Sequence, residues 1–215
     1  KEKRVTAVHE MGHALLAHYL EHADPPHKIS VVGRGMALGY VVSLPTEDRF
    51  TRRRVELMAQ LAQALGGRTA EELVFGEATT GAENDLQKVT QTAKRMVMKW
   101  GMAEALGPRS FGGDADNPFL GRDFHAEPDY SDGIAREIDR EIQRIIDDAH
   151  DTARRVLGEH RDELERLADI LVEHENIDSE QFQLLIAGED PDDVFAATAE
   201  SVAIEDVDVA ADTAS

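Results

Sequence analysis

Val5-Thr6-Ala7-Val8-His9-Glu10-Met11-Gly12-His13-Ala14-Leu15-Leu16-Ala17-His18-Tyr19 is the stretch on which the fold turns. Val5, Val8, Leu15, Leu16 and Tyr19 recur at helical spacing, so the run from Glu2 to about His22 reads as one helix with an apolar stripe. Residues four apart on a helix lie one above the other. His9 and His13 therefore project from one face, with imidazoles close enough to share a cation. Glu10 is turned from His9 by about 100° and is free to face something those imidazoles hold. Gly12 is unfavourable inside a helix, and its place beside Ala14 implies close approach by another element.

The pattern His9-Glu10-Met11-Gly12-His13 is H-E-x-x-H, in which two histidines hold zinc and the glutamate handles the proton of a zinc-bound water. The competing reading is a solvated helix that happens to carry two histidines. A second arrangement, His18-Tyr19-Leu20-Glu21-His22, has the inverted form H-x-x-E-H. His18 and His22 point away from His9 and His13 on the helical wheel and fall just before Asp24-Pro25-Pro26. They read as solvated residues of a last turn.

Composition narrows the chemistry. There is no cysteine in 215 residues, so any zinc must be held by His, Asp, Glu and water. A net charge of −20 argues against nucleic-acid binding. No apolar run is long enough to span a membrane and no signal peptide opens the chain. From Gly188 onward there are nine acidic residues and no basic one. Residues 1–187 thus read as one domain, and 188–215 as an acidic, disordered tail. The start at Lys1-Glu2-Lys3-Arg4, straight into the motif helix, reads as a fragment cut from a longer protein.

Beyond the first helix, Lys28–Val32 and Gly39–Leu44 read as strands of a small sheet or hairpin, separated by Gly33-Arg34-Gly35. A helix opens at Thr51 and runs through Val55, Met58, Leu61, Ala62 and Leu65. Gly66-Gly67 interrupts it, and Arg68–Phe75 resumes it. After the loop Thr79-Thr80-Gly81-Ala82, a helix carries Leu86, Val89, Ala93, Met96, Val97 and Trp100 on one apolar face, with Gly101 as its stop. Residues 107–130 have no period, and a loop of that length is often functional. Ser131 N-caps a long helix striped by Ile134, Ile138, Ile142, Ile145, Ala149, Ala153 and Val156. Leu164, Leu167, Ala168, Leu171 and Val172 form a further stripe, and a short helix starts near Asp178. The class is mainly α, with a small β-sheet and a C-terminal helical bundle.

A catalytic zinc needs a third protein ligand. The metzincin extension is absent, because Leu16 and Tyr19 stand where Gly and His would be. Glu71, Glu72 and Asp85 are the candidates, each with an ordinary structural reading as a helix-face or first-turn acid. Spacing does not decide among them.

Thr6–Ala14, Asp24–Ser30, Ala37-Leu38-Gly39, Leu44-Pro45, Gly66–Glu72, Thr80–Leu86, Trp100-Gly101-Met102, Leu106-Gly107-Pro108 and Phe119–Arg122 together resemble the peptidase domain of the FtsH family, the membrane-anchored ATP-dependent zinc proteases. The resemblance covers residues 1 to about 187. It implies a helical zinc-peptidase domain in which His9, His13 and Asp85 hold Zn2+ and Glu10 is catalytic. It makes Glu71 and Glu72 supporting residues, paired with Arg68. It implies polypeptide substrates, a homo-hexamer, and an AAA+ ATPase domain of the same full-length chain, through which alone ATP would act. It also implies anchorage of the full-length protein in a bacterial or organellar inner membrane, with this domain on the cytoplasmic side. Met11 and Gly33 depart from the family's usual Ala and Pro. No Walker A motif is present, so ATP hydrolysis is expected outside these residues. The opposing expectations are a non-catalytic homologue that serves as an oligomerisation scaffold, and a zinc hydrolase with a non-peptide substrate.

Overall fold

Ten consecutive or near-consecutive residues of the first helix, from Ala7 to Ala17, have almost no contact with solvent. Burial on all sides of a helix means that other elements surround it, and the first helix is the centre of this molecule. The computed structural model describes residues 1–32, 39–43, 51–112 and 130–196. In chain order these form α1 (Glu2–Tyr19), β1 (Pro26–Ser30), β2 (Tyr40–Ser43), α2 (Arg54–Phe75), a 3-10 turn (Thr80–Ala82), α3 (Glu83–Met98), a second 3-10 turn (Glu104–Leu106), α4 (Asp132–Glu159), α5 (Arg161–His174), β3 (Asn176–Asp178) and α6 (Ser179–Ile186). The fold is mainly α with one small sheet, as the sequence implies.

α2 and α5 flank α1, and α4 lies across α2 and α3. The α1–α2 crossing is unusually close. A Cβ on Gly66 would stand 2.7 Å from the carbonyl oxygen of Gly12, and a Cβ on Gly12 would stand 2.6 Å from the Cβ of Ala70. Helices normally pack 8–10 Å apart; here the absence of side chains at the contact lets the backbones meet. This explains a departure from the sequence reading. Gly66-Gly67 does not interrupt α2, which runs unbroken over 22 residues and stops at Gly76, whose φ is 78°. The glycines serve the crossing, and the stop is a left-handed C-cap.

The sheet has the order β2-β1-β3 and is antiparallel throughout. Ile29 pairs with Val41 on one side and Ile177 on the other. Ile29 and Ile177 are buried against the helices. β3 escapes a sequence reading because three residues are too few to show a period. An Asp178–Gln181 capping box follows it immediately: the Asp178 carboxylate accepts from Gln181 N, and the Gln181 side-chain Oε1 accepts from Asp178 N, both at 2.9 Å.

Other boundaries shift modestly. α2 starts at Arg54, where Glu56 accepts a hydrogen bond from Arg53 N at 2.6 Å. Ser131 caps α4 as expected, and the long helical stretch divides at His160 into α4 and α5. Val55, Leu86 and Trp100, placed on apolar stripes by periodicity, are 48%, 37% and 47% exposed. Trp100 lies beyond the end of α3, so the helical phase no longer fixes its direction. His18 is partly buried rather than fully solvated. It stacks edge-on against Tyr19 and Phe182, and burial lowers its pKa.

Gly33-Arg34-Gly35, Ala37-Leu38, Leu44-Pro45, Phe119–Arg122 and most of the 107–130 loop lie outside the described residues. The proposed tail begins within them: residues 191–196 are helical, Val194 is buried, and Phe195 stacks on His174 at 3.6 Å between ring centroids. No helix among the described residues is long and apolar enough to cross a membrane.

Candidate metal centre

Three elements supply the centre. α1 carries His9 and His13 one turn apart, as the motif requires. α2 crosses α1 at Gly12, so its next turn passes under the imidazoles. Gly67 lies beneath His9: a Cβ there would collide with Nε2, Cε1 and Cδ2 of the ring. The second glycine of Gly66-Gly67 is thus the floor on which His9 rests. α3 enters from the Thr79–Ala82 turn and brings Asp85 in its first turn.

The structure brings His9, His13 and Asp85 together. His9 Nε2 and His13 Nε2 are 3.1 Å apart, and Asp85 Oδ2 is 3.4 Å from the first and 3.2 Å from the second. Donors about 2.0–2.1 Å from a tetrahedral zinc are separated by about 3.3 Å. The three atoms thus form the base of such a tetrahedron, made of two imidazole nitrogens and one carboxylate oxygen. Among the described residues this is the group of His, Asp and Glu side chains whose ligand atoms converge in this way. Asp85 Oδ1 is held separately by Lys88 Nζ at 3.2 Å, which favours one-oxygen ligation by Oδ2.

Glu71 and Glu72 stand outside that triangle. Glu71 is 1% exposed and accepts a hydrogen bond from His9 Nδ1 at 2.7 Å through Oε1. Its Oε2 accepts from Thr79 N at 2.5 Å. One carboxylate therefore orients His9 and ties down the turn that delivers Asp85. His13 Nδ1 donates to the carbonyl of Gln63 at 2.7 Å. Both acceptors lack a proton to give, so each Nδ1 carries the hydrogen and each Nε2 is left as the ligand atom. Glu72 faces outward to Arg68 at 3.0 Å, with His150 and Arg154 at 3.4 and 3.6 Å.

The electrostatics favour a cation. Burial disfavours a charged His9, yet the hydrogen bonds to Asp85 and Glu71 outweigh it and push its pKa up to about 9. Burial likewise works against the Asp85 and Glu71 carboxylates, but hydrogen bonds from the histidines, and from Thr79 to Glu71, hold both below the usual range. A pocket that draws a proton onto His9 this strongly offers the same field to a metal dication, which would release that proton on binding.

Glu10 is the remaining group. It is 7% exposed, and burial pushes its pKa upward against the pull of His13 and His9. It lies one residue beyond His9 on α1 and donates no atom to the triangle. Its wall on the sheet side is Gly39, at the start of β2. A Cβ there would lie 2.8 Å from Glu10 Oε1 and 2.9 Å from Glu10 Cγ.

The chain is similar to known proteins over most of its length. Residues 1–185 match peptidase family M41. It is 57% identical over 199 residues to the ATP-dependent zinc metalloprotease FtsH 1 of Conexibacter woesei, covering 93% of this chain and 30% of that protein. Identity to the ATP-dependent zinc metalloprotease FtsH of Rubrobacter xylanophilus is 50%, covering 86% of this chain and 29% of the relative. The FtsH of Bacillus subtilis is 49% identical, again over 86% of this chain and 29% of its own length. The chain thus spans about 30% of the length of the relatives it matches.

Proposed function

The chain belongs to peptidase family M41, and from that premise we propose that it is the zinc endopeptidase part of an ATP-dependent protease. Its substrates are polypeptides, unfolded or drawn from membranes, delivered by an ATPase ring elsewhere in the full-length chain. The relatives are ATP-dependent zinc metalloproteases, and the share of their length matched by this chain supports that division of labour. A homo-hexamer, and anchorage of the full-length protein in an inner membrane with this domain on the cytoplasmic side, belong to the same reading. Residues 188–215 are an acidic tail whose helical start, 191–196, packs on the domain through Val194 and Phe195.

One observation carries the assignment: His9 Nε2, His13 Nε2 and Asp85 Oδ2 converge at 3.1–3.4 Å with Glu10 next along α1. When bound there, zinc would acidify its water and polarise the scissile carbonyl. Glu10 accepts the water proton on a carboxylate oxygen and passes it to the leaving amine nitrogen. A raised pKa suits that double duty, since the best proton shuttle has a pKa near working pH. His9 and His13, fixed through Nδ1 by Glu71 and the Gln63 carbonyl, keep their Nε2 lone pairs on the site. β2 is at the edge of the described sheet and begins beside Glu10. An extended substrate adding to that edge would pass the carboxylate.

Glu10→Gln keeps the shape of the side chain and removes its basicity. In the full-length, ATP-supplied protein it is expected to retain zinc and to lower casein cleavage by at least ~100-fold. Undiminished cleavage would refute the role. Zinc retention without proteolysis in the wild type would instead favour a scaffold, a reading that all four intact groups oppose.

A further inference from the structure

We propose that Gly39 is a positioning residue for Glu10: its missing side chain is the space in which the carboxylate is held for proton transfer. The inference rests on the reading of Glu10 as the proton shuttle, and it extends that reading to a residue outside α1.

A glycine is usually explained by its backbone, but Gly39 is not in the left-handed region, so alanine would fit its conformation there. What excludes a side chain is steric. A Cβ at residue 39 would meet three atoms at once: Thr6 Cγ2 at 2.6 Å, Glu10 Oε1 at 2.8 Å and Glu10 Cγ at 2.9 Å. Ordinary carbon contacts lie at about 3.5–4.0 Å, so something must move by several tenths of an ångström or more. Thr6 and Glu10 both stand on α1, one turn apart, with the rest of that helix locked between α2 and α5. The Thr6 methyl has little freedom, because a β-branched side chain in a helix has few χ1 choices. The Glu10 carboxylate is the far end of a flexible side chain and is the group that yields.

A general base works only within hydrogen-bond reach of the proton it takes. Misplacement by about 1 Å can lower a rate on the order of 100-fold. The ligand triangle, by contrast, does not touch Gly39, so the metal should be indifferent to the change. Gly39 also joins the sheet to the chemistry: whatever shifts the start of β2 shifts the wall of Glu10.

The test is Gly39→Ala, read in two ways. In the full-length, ATP-supplied protein, the variant is expected to hold zinc as the wild type does and to cleave casein with unchanged KM, and with kcat lowered about 10- to 100-fold. Thr6→Ser in the Gly39→Ala background removes Cγ2 and should restore part of kcat. Equal kcat in wild type and Gly39→Ala, or loss of zinc together with kcat, would overturn the inference. The second readout needs no activity. In the metal-free 215-residue chain carrying Thr6→Ser, which removes the Cγ2 contact, Gly39→Ala should lower Tm by several degrees when residue 10 is Glu, and by much less beside Glu10→Ala. An additive cycle would overturn the inference even where cleavage falls. A wild type that neither binds zinc nor cleaves would refute the peptidase reading instead, and the stability cycle would still decide whether Gly39 confines Glu10.

Discussion

Glu71 is the residue on which the centre's order depends, although it stands outside the triangle of His9, His13 and Asp85. Its two carboxylate oxygens divide between His9 Nδ1 and Thr79 N. Removing them leaves a buried imidazole N–H without an acceptor and loosens the turn before Asp85. Loss of such a supporting partner typically weakens metal binding 10- to 100-fold. Glu71→Ala is therefore expected to raise the zinc Kd by about that factor, with Glu72→Ala close to wild type because Glu72 faces Arg68, His150 and Arg154. Competition with a zinc-binding dye would measure both, and equal values for Glu71→Ala and wild type would contradict the role. His9, Glu10 and His13 were legible because all three sit on one helix, where spacing fixes direction. The choice among Glu71, Glu72 and Asp85 was not, since helical spacing says nothing about contacts 62 or 76 residues away. The family resemblance pointed to Asp85; the distances support it.

At the scale of elements, the crossing of α1 and α2 sets the centre's position. Two opposing terms act on a glycine inside a helix. Alanine would gain about 1 kcal/mol of intrinsic helix preference. Its methyl would also enter a contact with no room, an overpacking cost of about 1–3 kcal/mol and more where backbone is struck. At Gly66 the struck atom is the Gly12 carbonyl oxygen, 2.7 Å from the new Cβ, so the cost wins. Gly66→Ala should lower the stability of the chain by about 1–3 kcal/mol in urea unfolding; a stabilised variant would mean that the helices separate freely. The same crossing shows where sequence reading stops. Periodicity found every long helix, yet it took Gly66-Gly67 for a break, because the local penalty of glycine is visible in sequence and its tertiary use is not. Leu86 and Val55 have the phase of core residues, but phase does not reveal whether a neighbouring element covers them.

For the whole molecule, the centre is a link among distant parts of the chain. α1 is held by packing on α2 and α5, whereas Asp85 reaches His9 and His13 from α3 across more than 70 residues of sequence. With no cysteine available, a metal bridging α1 and α3 is the kind of cross-link open to this composition, and its binding free energy adds to the stability of the folded state. Two histidines alone make a weak zinc site, and the third ligand converts it to a closed triangle with one open position. The most direct measurement is therefore the zinc content of the purified protein, wild type against Asp85→Ala, by elemental analysis after dialysis. About one zinc per chain in the wild type and almost none in Asp85→Ala is the expected result. Zinc retained in full by Asp85→Ala, or absent from the wild type, would contradict it.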